Sequence, residues 1–130
     1  MKAPVRPGAF TLVEIMIVVA IIALLAVIAM PSFLRARKRS QATDELNSLR
    51  LIDAAVSQYA IETSRPSGFP VLHSDWRKYL KKRTVLYRTG TDIFGNVFPT
   101  QYVDQLPDVP APTKDSLSDV VDASFWSPFQ

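Results

Sequence analysis

Between Phe10 and Met30 the sequence reads FTLVEIMIVVAIIALLAVIAM, twenty-one residues in which only Glu14 is charged. At about 1.5 Å per residue, a helix of this length crosses a hydrocarbon core about 30 Å thick. The run therefore predicts a transmembrane helix. A carboxylate near the centre of such a span costs about 2.5–3.5 kcal/mol on insertion scales, so Glu14 needs compensation. Two sources are available: the dipole of the first helical turn with snorkelling to the headgroups, or a cation brought by a partner. Pro31 follows the run and has no backbone N–H to give, which predicts a kink or break there.

The rest of the chain carries few signs of catalysis. It has no cysteine, hence neither disulfides nor a thiolate metal site. His73 is its one histidine, predicted to lie in a surface loop; there is no glycine-rich phosphate loop and no nucleophile–base spacing. We expect no enzyme. The net charge of +3 comes from the flanks of the apolar run, because residues 66–130 hold seven basic and seven acidic groups. Arg35, Arg37, Lys38 and Arg39 would meet headgroups at the membrane edge.

Ala42, Leu46, Leu49, Ile52, Val56 and Tyr59 recur at helical spacing, while Asp44, Glu45, Asn47, Arg50, Asp53 and Gln58 are assigned mostly to the other faces. One long helix from Phe10 to about Glu62 follows, ended by Ser64–Gly68. Residues 66–130 contain seven of the ten prolines and ten of the thirteen aromatics. Within them Ser74–Leu80 predicts a capped helix, Thr84–Arg88 and Val97–Val103 predict strands, and Asp115–Val121 predicts a helical turn. Leu106–Thr113 reads as a proline-rich connector and Phe125-Trp126 as a core plug. The expected fold class is α+β: a long amino-terminal helix packed on a small domain with a short antiparallel sheet. The expected divisions are a leader (1–9), a membrane half of the helix (10–31), an amphipathic half (32–65) and an aromatic domain (66–130).

Pro7-Gly8-Ala9, followed by Phe10-Thr11-Leu12-Val13-Glu14 and an apolar run to Pro31, resembles the amino-terminal region of type IV pilins and type II secretion pseudopilins. In that family a cytoplasmic leader peptidase cuts before the Phe and the new amine is methylated. A Glu lies four residues on and a Pro twenty-one residues on; Phe10, Glu14 and Pro31 match both spacings. Ala9 departs from the Gly usual before the cut. The resemblance implies processing at Gly8, Ala9 and Phe10, with cleavage after Ala9 favoured over cleavage after Gly8 because both spacings then hold. It implies assembly through Phe10, Glu14 and Pro31, with Glu14 pairing with a terminal amine as spans pack together. Such a desolvated pair sets register more than net stability. Four basic groups just after the span against two before it favour the opposite orientation by the positive-inside rule. The resemblance outweighs this, because a cytoplasmic peptidase must reach the leader.

Asp92-Ile93-Phe94-Gly95-Asn96 partly resembles the Asp-Pro-Trp-Gly-Asn turn of major secretion pseudopilins. In those proteins calcium ties down a carboxyl-terminal loop, which makes Asp115, Asp119 and Asp122 candidate ligands here; their spacing equally fits the wet face of a helix. Arg77, Lys78, Lys81, Lys82 and Arg83 around Trp76 and Tyr79 suit single-stranded DNA, or simply a solvated helix with its aromatics inside. Taken together, the resemblance implies a structural subunit of a type IV-like filament, a secretion pseudopilus first and a surface pilus for adhesion, motility or DNA uptake second. Its implied partners are other pilin-like subunits, a prepilin peptidase, an inner-membrane assembly platform and lipid before assembly, with the carboxyl-terminal domain outside a bacterial inner membrane. A membrane-anchored binding module that never polymerises is the alternative from another class.

Overall fold

The computed structural model describes Gly8 and residues 10–129; the leader, including the expected cleavage position Ala9, otherwise lies outside the described residues. Helix α1 runs Leu12–Thr63, 52 residues, with Pro31 inside it and no break in the helical run. The helix therefore continues through Pro31 without the break that its missing N–H could have caused. Contacts divide the chain into two units, one up to Ala36 and one from Arg37 onward.

The first unit is the apolar half of α1 with its entry. The second holds everything that is packed. After α1 come β1 (Pro70–Val71), α2 (His73–Trp76) continued by a 3-10 turn over Arg77–Tyr79, and α3 (Val85–Thr89). Strand β2 (Gln101–Tyr102), α4 (Ala111–Leu117) and a 3-10 turn over Ala123–Trp126 complete it. The sheet is one antiparallel pair, with Pro70 opposite Tyr102 and Val71 opposite Gln101. Ala42, Leu49, Ile52 and Val56 of α1 are buried with Val71, Trp76, Leu80, Leu86, Leu117 and Trp126. The second half of the helix is thus one wall of the core, as its stripe predicts.

Three local expectations change. Thr84–Arg88 forms helix rather than strand. The Thr84 hydroxyl accepts the Tyr87 N–H at 3.2 Å as a cap, and Gly90 closes α3 at φ 65° with its N–H on the Leu86 carbonyl. These end signals outweigh a short alternation of apolar and polar residues. The second strand shrinks to Gln101–Tyr102. His73 is half-buried rather than a surface loop residue: its Nε2 lies 3.0 Å from the Leu86 carbonyl, and its ring meets Trp76 edge-on at 4.8 Å.

Candidate assembly segment and the Asp92 clasp

Thr11 and Glu14 open α1 as a reciprocal cap. The Thr11 N–H donates to Glu14 Oε2 at 2.8 Å, and the Thr11 hydroxyl donates to the same oxygen at 2.9 Å. The Glu14 N–H in turn reaches Thr11 Oγ1 at 3.2 Å. This is the Thr-x-x-Glu capping box, carried by Thr11-Leu12-Val13-Glu14 in the sequence itself. It gives Glu14 a local partner within its own chain. Both bonds from Thr11 fall on Oε2, so the side chain keeps a second oxygen for an incoming donor.

From Phe10 to Leu34 the side chains of this unit are exposed. Phe10 is 79% exposed, and Val13, Leu24 and Ile28 are also uncovered. A contiguous apolar surface of this extent is covered by lipid or by another protein surface in any aqueous setting. Pro31 leaves the carbonyl one turn before it without its usual donor. Phe10, Glu14 and Pro31 thus lie along one apolar segment, residues 10–31, and do not converge on a pocket.

In the second unit the polar centre is Asp92, 3% exposed. Its Oδ1 accepts the Phe94 N–H at 2.8 Å and the Asn96 N–H at 2.7 Å. Its Oδ2 accepts Asn96 Nδ2 at 3.2 Å and the hydroxyl of the fully buried Thr113 on α4. Asn96 Nδ2 also reaches Thr113 Oγ1 at 2.9 Å. The Asp92–Asn96 turn is therefore a clasp that fastens α4, a structural use of its Asp, Gly and Asn.

Glu45 lies beside this clasp and is fully buried, a correction to its assignment to the wet faces of α1. Positions 42, 45, 49 and 52 share a stripe at spacings of three and four, and the turn over 92–96 covers that face. Neither Glu45 oxygen has a hydrogen-bond partner. Burial, then the Asp92 charge, push its carboxyl up to about 7, with a smaller opposing pull from the Ile93 N–H. At the end of α1, Glu62 accepts the Tyr79 hydroxyl at 2.6 Å and Gln58 Nε2 at 2.8 Å. Those two bonds hold Glu62 below the usual carboxylate range.

Of the calcium candidates Asp115, Asp119 and Asp122, the last two have protein partners. Asp119 receives Lys38 Nζ at 2.8 Å. Asp122 caps the last 3-10 turn, accepting the Ser124 hydroxyl at 2.7 Å and the Phe125 N–H at 3.1 Å; these bonds keep its carboxyl below its ordinary range. Among the described residues, no three acids or histidines are grouped to hold a metal ion. The helix here is Ala111–Leu117, earlier than Asp115–Val121, so the three aspartates do not share one helical face. The basic run is exposed as expected, while Trp76 is 2% exposed and lies in the core.

Residues 6–30 match the prokaryotic N-terminal methylation motif. Over 64 residues the chain is 41% identical to the type IV major pilin protein PilA of Myxococcus xanthus (strain DK1622). That alignment covers 49% of this chain and 29% of the relative. No solved structure matches.

Proposed function

We propose that this chain is a type IV pilin-like protein and the structural subunit of a surface type IV pilus. The observation that carries the reading is the joint presence of the methylation motif and a 21-residue apolar segment that nothing in its own unit covers. A helix of this kind rests in lipid and then exchanges lipid for neighbouring spans. In this reading a prepilin peptidase trims the chain before Phe10. An inner-membrane platform then lifts it out of the bilayer, with the second unit outside. The Glu14 oxygen left open by the capping box receives the new terminal amine of a neighbour. The desolvation cost of such a pair makes it a register device.

Likeness to a major pilin supports the pilus over the pseudopilus. The Asp92–Asn96 turn favours the secretion pseudopilus as the second reading, although here the turn serves as an internal clasp.

Two substitutions separate capping from pairing. Glu14→Gln keeps an acceptor for the Thr11 N–H but loses the charge; Glu14→Ala loses both. If pairing operates, both insert in the membrane and both fail to give filaments. If Glu14→Gln assembles as the parent does, the charge is unnecessary and pairing is refuted. Sequencing the amino terminus of sheared filaments places the cut; a mature chain starting at Ala9 would overturn cleavage before Phe10.

A further inference from the structure

The balanced charge of residues 66–130 hides a strong segregation. Arg77, Lys78, Lys81, Lys82, Arg83 and Arg88 are all exposed, with no acid among residues 77–88. Asp104, Asp108, Asp115, Asp119 and Asp122 are all exposed, with Lys114 the one base among residues 104–122. Beside the basic run lies an open groove of about 810 Å³ whose lining includes Leu51, Ala54, Tyr79, Lys81, Val85 and Ile93. Leu51, Val85 and Ile93 remain exposed there. The acidic loop presents the converse shape: Leu106 is 49% exposed and flanked by the exposed Asp104 and Asp108, with Asp104 in the left-handed region at φ 60°. None of these three residues lines the groove, so the two surfaces are different places on one unit.

We propose that the Leu106 knob of one copy seats in the Leu51–Val85–Ile93 groove of the next, with Asp104 and Asp108 meeting Lys81, Lys82 and Arg83. The occupant is a second copy because apolar shape and charge are complementary between two patches of the same chain. Two different patches make a heterologous contact, which propagates head to tail instead of closing a dimer. The inference rests on the filament reading and adds to it a contact outside the membrane segment. Opposite potentials would set register and reject wrong neighbours.

Nucleic acid is the competing occupant of the basic run, and the aromatics disfavour it. Trp76 is buried, the Tyr79 hydroxyl is committed to Glu62, and the Tyr87 ring lies under Arg77 at 5.3 Å. Single-strand binding needs open aromatic faces beside its cations.

The test uses the full chain in an assembling host. Lys82→Glu with Arg83→Glu is one variant, Asp104→Lys with Asp108→Lys a second, and all four substitutions a third. Each reversed pair places like charges together, so sheared-filament yield should fall about tenfold or more, and the combination should restore it to within about threefold of the parent. Cysteines placed at Leu24 and Ile28 in the parent, which has no cysteine of its own, report polymerisation through the spans by a disulfide ladder. Parental yields from either reversed pair overturn the contact. So does a combined variant as poor as the single pairs. So does normal assembly accompanied by lost binding of a labelled single-stranded oligonucleotide, which would give the basic run to nucleic acid. Absence of the span ladder from the parent would instead refute the filament reading, and this contact with it.

Discussion

Glu45→Gln should stabilise the second unit at neutral pH and flatten its pH dependence. Glu45 is fully buried with neither oxygen bonded, beside the saturated carboxylate of Asp92. Its folded-state pKa is raised to about 7 from an ordinary 4.5. Below pH 4.5 folded and unfolded chains both hold the proton, and the site costs nothing by ionisation. Between about 4.5 and 7 the unfolded chain releases the proton while the folded chain keeps it, so stability falls as pH rises. Above about 7 both are ionised and the loss is constant. At about 1.36 kcal/mol per pH unit the total is about 3 kcal/mol. Gln has no such titration and nearly the same shape, so its advantage should grow from near zero at pH 4.5 to about 3 kcal/mol at pH 8. Trp76 and Trp126 are the only tryptophans and both are buried in the second unit. Their fluorescence in the detergent-solubilised full chain therefore follows this unit alone. At about 4–8 °C per kcal/mol for a domain of this size, the melting gap at pH 8 should be roughly 12–24 °C. Equal melting at pH 8, or a gap that does not shrink on acidification, would refute a buried, unpaired Glu45.

Other expectations use the same fluorescence. Asp92→Ala removes the acceptor for the Phe94 and Asn96 N–H groups and frees Thr113; it should cost about 2–4 kcal/mol, less where relief of Glu45 offsets it. Gly90→Ala would place a Cβ 2.8 Å from His73 Cγ at φ 65°, so a loss of about 1–3 kcal/mol is expected, against no loss for the exposed Gly95→Asn at its own positive φ. A chelator should leave the melt unchanged, because Asp119 and Asp122 already serve Lys38 and the last 3-10 turn; a large downward shift would support the calcium reading instead.

Elements defined by short-range chemistry were legible in the chain. The long apolar helix follows from length and hydropathy, the packing stripe from Ala42, Leu49, Ile52 and Val56, and the plug from Phe125-Trp126, whose indole is indeed buried. The capping box is equally legible in Thr11-Leu12-Val13-Glu14, because Thr and Glu three apart bond each other within one turn. Thr84–Arg88 misled because five residues of alternation carry less information than the Thr cap before them and the Gly after them.

The apolar length, the single acid at its head and the proline after it are covalent facts, and their physics needs no fold: lipid or a like surface must cover them. Whether an ionisable side chain beyond that segment is wet or dry is another kind of fact. Glu45 is buried because a turn some fifty residues later closes over it, and Asp92 is saturated because α4 brings Thr113 to its second oxygen. Helical periodicity says which residues share a face. It does not say which face another part of the chain will choose to cover, since that choice minimises the exposed apolar area of the whole unit rather than of any local window.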